Sequence, residues 1–194
     1  MAGTIIDGTG SNYRAKVNSN NQLEVEATTE SVYRVAVENG KAFNINSFDK
    51  TLSATSGEQA VLYIKNNSDE ELELVNLFGG FWNVTPGSNG IFKIKVYQNP
   101  TGGTLISEAN RIDIPNRQAG AIEDFNDVIA YDATTGGRTF DTVPSTPNAF
   151  LIQGSGRLFA SIDLAIPPGQ AFGITVDTAG GSADYYIGFA GYKE

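Results

Sequence analysis

Glu24 and Glu26, and again Glu71 and Glu73, place two carboxylates two residues apart, on one face of any strand that contains them. Paired carboxylates roughly 5 to 9 Å apart are what glycoside hydrolysis requires. Both pairs, however, alternate with Leu or Val, and that alternation already accounts for them as the solvated face of a strand. The turn Asp69-Glu70-Glu71, with Glu73 behind it, offers oxygen ligands to a hard cation such as Ca²⁺. It lacks the Asp-x-Asp-x-Asp-Gly spacing of a calcium loop and reads as an exposed acidic turn.

The chain has neither His nor Cys. Ser-His-Asp and Cys-His nucleophile systems are therefore excluded, and zinc would find only carboxylates as strong ligands. Hydrolysis by Asp and Glu alone stays open, without support. Gly79-Gly80 and Gly102-Gly103 are not followed by the Lys-Ser/Thr of a phosphate loop. No cofactor is expected, and the residues point away from an enzyme and toward architecture.

Phe78-Gly79-Gly80-Phe81-Trp82 is the most distinctive aromatic cluster. It reads as a stacking platform for a sugar, as an anchor at a subunit interface, or as a hydrophobic corner closing a β-sandwich. The last is favoured, because aromatic rings carry large core areas. Tyr185 and Tyr186 fall on opposite faces of a strand, which predicts one core ring and one exposed or interfacial ring.

Residues 1 to 30 differ from the rest of the chain: Gly, Ser, Thr and Asn dominate, with scattered apolar positions. Such a stretch buries too little surface to offset its own ordering entropy, which predicts an extended arm that orders on a partner. Tyr13, Arg14, Lys16 and Val17 are its candidate anchors on an acidic neighbour, and Ile5-Ile6 could add a strand to a partner's sheet edge. A floppy tail is the plainer alternative.

Behind the arm, residues 31–194 read as an antiparallel all-β sandwich. Leu23 to Ala27 alternates apolar with acidic and leads into the fold; Val32 to Val37 alternates less cleanly and stops at the turn Asn39-Gly40. Phe43 and Ile45 share a face of a short strand over 42–46. Strands over 60–65 and 71–77, joined by Asn66 to Glu70, predict a hairpin. Residues 91–97 alternate strictly, with Phe92, Ile94 and Val96 on one face. From 105 to 147 the pattern weakens to inserted loops, with a strand fragment at 112–115 and a short helix or irregular strand at 121–131. Strands follow at 149–153, 157–166, 170–177 and 184–192, spaced as in a sandwich, with a rigid turn at Pro167-Pro168-Gly169.

At 194 residues the chain is one domain, or a domain with an arm, large enough for a self-sufficient core. A net charge of −9, with no Lys/Arg cluster, argues against nucleic acid and anionic membrane surfaces as partners. No stretch approaches the ~20 apolar residues of a membrane span, and the N-terminus lacks the basic and apolar regions of a signal peptide, so synthesis in a cytoplasm is expected.

The order of these pieces resembles virion structural proteins of tailed bacteriophages. The stretches that carry the resemblance are GTGSNYRAKVNSNNQLEVEA, ENGKAFNIN, QAVLYIKNNSDEELEL, NPTGGTLI, ATTGGRTF and LAIPPGQAFGITV, across about residues 8 to 190. The resemblance implies a capsid decoration, or cement, protein with a jelly-roll-like sandwich. Such a protein binds the major capsid protein on the capsid surface and stabilises the shell, with homotrimers a frequent arrangement. It implies no enzymatic activity and leaves head and tail locations both open. The alternative is a virion fibre or tail-associated protein that binds a host-surface glycan through Trp82 and the tyrosines.

Overall fold

A computed structural model describes residues 16–17, 23–24, 31–53, 57–85, 92–119, 125–133, 138–147, 149–153 and 156–194. The chain divides into two units, Met1–Ser31 and Val32–Glu194. In the first, β1 (Lys16–Val17) pairs antiparallel with β2 (Leu23–Glu24). Ile5, Ile6, Tyr13 and Arg14 lie outside the described residues.

The second unit opens with a helix, α1 (Val32–Glu38), where the alternation suggested extended chain. Tyr33, Ala36 and Val37 recur at helical spacing and pack with Ala42, Val75 and Tyr192 on the outer side of a sheet. Arg34 and Glu38 pair at 3.0 Å one turn apart. The helix ends at Gly40, whose φ of 74° is left-handed; Lys41 N–H donates to the Ala36 carbonyl and Gly40 N–H to that of Val37. That is a Schellman stop. The tenths of a kcal/mol that three valines cost a helix are outweighed by the stripe it buries.

Ten strands follow: β3 (Ala42–Leu52), β4 (Glu58–Asn66), β5 (Leu72–Thr85), β6 (Phe92–Gln98), β7 (Arg111–Ile112), β8 (Val128–Asp132), β9 (Ala149–Gln153), β10 (Gly156–Ile166), β11 (Ala171–Asp177) and β12 (Ser182–Lys193). They form a four-stranded sheet in the order β10-β5-β12-β3 and a six-stranded sheet in the order β7-β8-β4-β11-β6-β9, with every pairing antiparallel.

The pairs β6 with β9, β5 with β10, β4 with β11 and β3 with β12 make one long hairpin rolled across both sheets. That is a jelly roll, the form of sandwich that the resemblance implied; the strand spacing predicted a sandwich. The hairpin expected between β4 and β5 does not form: they lie in different sheets, and residues 67–71 cross between them. Asn66 organises the crossing. Fully buried, it donates through Nδ2 to the carbonyls of Glu70 and Ile166 and accepts at Oδ1 from Ser68 N–H and Oγ–H. A turn cluster of Asn, Ser and Asp serves a sheet-to-sheet corner as well as a hairpin, because its bonds are local.

The core lies between the sheets. Phe43 and Ile45 of β3, Leu72, Leu74 and Leu77 of β5, and Tyr185, Ile187 and Phe189 of β12 face Leu62, Ile64, Phe92, Ile94, Val96, Phe172 and Ile174 of the opposite sheet. Phe81 of β5 stacks on Phe92 of β6 across the gap, ring centroids 4.5 Å apart. Burying each such side chain contributes about 1.5–3 kcal/mol.

A few residues of the weakly patterned region pack back onto the sandwich. Of 121–131, the described part holds the start of β8, a strand rather than a helix; of the fragment expected at 112–115 only Ile112 is strand, in β7, with a 3₁₀ turn before it, Glu108–Asn110. Leu105 and Phe140 from the insertions are buried on the outer side of the six-stranded sheet against Tyr63, Tyr131 and Ala171. Gly173 of β11 makes room for this padding: a Cβ there would sit 2.4 Å from Pro100 Cγ and 2.7 Å from the Phe140 ring.

Candidate functional site

Alternation along β5 and β12 sends Phe81 and Tyr185 into the core and Trp82 and Tyr186 to the outer side of the four-stranded sheet. The split expected of Tyr185 and Tyr186 is what the structure has: Tyr185 is buried and Tyr186 half-buried. Trp82 and Tyr186 meet at 5.9 Å between ring centroids, tilted by 42°. Two glycines let the rings lie low. A Cβ on Gly80 would come 3.0 Å from Tyr186 Cε1, and one on Gly188 would come 2.7 Å from Phe78 Cε2. The Phe78–Trp82 cluster thus divides: Phe81 closes the core, while Phe78 and Trp82 floor an outer surface.

A bulge brings polar groups beside those rings. Between the β5–β12 partners Trp82↔Asp184 and Thr85↔Ser182, β5 carries one extra residue. Asn83 takes it up with a φ of 49°, left-handed and uncommon for a residue other than glycine. Asn83 Nδ2 then donates to Asp184 Oδ2 at 2.7 Å, and Thr51 Oγ1, from the other neighbouring strand, donates to Asp184 Oδ1 at 2.7 Å. These two bonds, Thr51's first, hold the exposed Asp184 carboxyl below the usual carboxylate range.

Toward the sheet edge, Phe159 of β10 sits opposite Phe78 in register and is 73% exposed, the most exposed large apolar side chain among the described residues.

Two other carboxyls, Glu58 and Asp132, are paired with lysines. Glu58 accepts from Thr175 Oγ1 at 2.6 Å and pairs with Lys95 on the outer side of the six-stranded sheet. Burial alone would raise its pKa; the bonds from Lys95, Thr175 and Tyr97 outweigh that and lower it. Lys50 reaches Asp132 at 3.5 Å from the opposite sheet. Burial raises Asp132, against the pull of Lys50, and burial with the Asp132 charge drives Tyr185 far above its ordinary range.

Glu73 is half-buried and raised by burial and by Glu71, Glu194 and Asp163; Glu24 lies in β2, and Glu26 lies outside the described residues. Glu70 of the acidic turn pairs with Lys41 at 2.8 Å. No three acidic side chains among the described residues gather closely enough to hold a metal ion. An open depression of about 380 Å³ is lined by Gly103, Thr104, Arg138, Thr139 and Asp141.

Of the partner-binding candidates from sequence that lie among the described residues, Trp82 reaches this surface, with Phe78 and Tyr186 of the aromatic stretches beside it. Lys16 and Val17 form β1, in the other unit. Asp184, Asn83, Thr51 and Phe159 were not singled out. The alternation of Asp184 with Tyr186 carried a signal for the first, but a bulge leaves no mark in composition. No family model, no curated protein and no solved structure matches the chain.

Proposed function

We propose that the chain is a non-catalytic virion structural protein, a decoration or cement protein that binds the major capsid protein on the outer shell of a tailed bacteriophage. The observation that carries this reading is Phe159. A phenylalanine 73% exposed on the 11-residue strand β10, last in the order of the four-stranded sheet and opposite Phe78, is an apolar contact on a sheet edge. Such an edge is covered by a partner or by symmetric closure, which is why a homotrimer belongs to the reading. A jelly roll hosts shell proteins and sugar-binding domains alike, so the fold agrees with the reading and the exposed Phe159 supports it.

The arm adds the second element. A polar segment orders on a neighbour at an entropic cost that many copies on one shell offset through avidity. The test is co-sedimentation of the purified protein with expanded, undecorated shells, with light scattering for its oligomeric state. Saturable binding is expected, weakened by Phe159→Glu and by deletion of residues 1 to 20, each with the folded domain intact. Wild-type protein that stays in the supernatant overturns the reading, as does undiminished binding by both variants.

A further inference from the structure

We propose that the outer side of the four-stranded sheet carries a binding site for a neutral oligosaccharide, built from Trp82, Tyr186, Asp184 and Asn83. The site lies on the same side of the sheet as Phe159, four residues along β5 from the position Phe159 faces, and does not rest on the shell reading.

Two observations of different kinds meet there. The first is the aromatic floor. Trp82 and Tyr186 are half-buried and in contact, and Gly80 lets the Tyr186 ring lie against the sheet. Rings of this type offer an apolar face with a polar tip, which suits the C–H faces of a pyranose whose rim is hydroxylated.

The second is the fixed carboxylate. Each oxygen of Asp184 accepts one hydrogen bond, from Thr51 or from Asn83, and each keeps a lone pair for another donor. The left-handed backbone at Asn83 aims its amide at Asp184, and strain of this kind persists where the surroundings hold it in place. An ionised, pre-oriented carboxylate beside an aromatic ring recognises adjacent hydroxyls through charge-assisted bonds. The same carboxylate, on a chain of net charge −9, repels sialylated, sulfated or phosphorylated sugars. Neutral hexose and N-acetylhexosamine chains are the class that fits.

Trp82 is the chain's single tryptophan, so its emission reports this site alone. Titrating the full chain with maltohexaose, cellohexaose and chitohexaose, with polysialic acid as the anionic control, should give a saturable emission shift with at least one neutral sugar. Calorimetry with that sugar should show affinity weakened at least ~tenfold by Trp82→Ala and by Asp184→Ala, the order of loss for an aromatic anchor or a charge-assisted bond. Asp184→Asn, isosteric and on an exposed position, should lose less. Shell co-sedimentation by Trp82→Ala should stay at the wild-type level, which separates failure of this site from failure of the shell contact. No shift with any neutral sugar, tighter binding of polysialic acid, or equal affinity in the wild type and Trp82→Ala would each overturn the assignment. So would loss of shell binding in Trp82→Ala, which would give this face to a protein partner.

Discussion

Lys193 Nζ lies 2.9 Å from Asp127 Oδ2 and 5.0 Å from the centre of the Phe125 ring, with only 4% of its side chain in contact with solvent. The penultimate residue of the chain is thus drawn into the sandwich, where Asp127 anchors the strand that follows it, β8. Removing the ammonium leaves a carboxylate with one oxygen already buried and unbonded. Asp127 is 37% exposed, so water screens part of the loss. Lys193→Ala should cost about 1–3 kcal/mol in urea unfolding. Lys193→Met with Asp127→Asn should recover much of that, since neither charge is then stranded.

The Phe81–Phe92 stack joins the two sheets at 4.5 Å, and both rings are 2% exposed. Phe81→Ala should lower unfolding free energy by about 3–5 kcal/mol through lost burial and the cavity left behind. Phe81→Leu should cost less than half as much. Equal costs for the two would mean that the gap collapses around the smaller residue.

Gly173 is required by what covers it. A methyl group there meets Pro100 Cγ at 2.4 Å and the Phe140 ring at 2.7 Å. Gly173→Ala should destabilise by about 1–3 kcal/mol and raise proteolysis within 99–110 and 138–147, as the padding lifts off β11. Combining it with Phe140→Ala should give a total smaller than the sum of the two single changes, because the second removes the clash with the Phe140 ring and leaves only that with Pro100.

Glu58 and Asp132 pull the pH profile in opposite directions. Glu58's folded pKa lies below its ordinary value of 4.5, so its contribution is present above that pH and fades as pH falls through the folded value. Asp132's folded pKa lies above its ordinary value of 3.8, so the folded state holds the proton longer, and stability declines as pH rises from there through the folded value. Melting temperatures across acidic pH should show Glu58→Gln less stable near neutrality and less sensitive to acid than wild type. Asp132→Asn should gain most on the neutral side. A Glu58→Gln curve parallel to wild type would contradict the first assignment.

Much of the sandwich was legible as alternation. Phe92, Ile94 and Val96 proved core-facing, as did Phe43 and Ile45, and Tyr185 and Tyr186 separated to opposite faces as their adjacency required. Side-chain direction in a strand is set by the residue's own backbone, so a period of two survives whatever the strand pairs with. The helix at 32–38 was less legible, because Val32 and Val35 on its open side blur a stripe that only the sheet beneath makes favourable.

Composition and local order alone determined that the chain is all-β, acidic, without thiol or imidazole chemistry, and punctuated by turns at 39–40, 66–70 and 167–169. Tertiary structure alone decided that β4 and β5 part into different sheets, that Gly173 lies under a loop, and that Asn83 turns toward Asp184 beside Trp82. The first group depends on interactions within a few residues. The second depends on contacts between residues as far as 101 positions apart, whose register is chosen by packing the whole core at once.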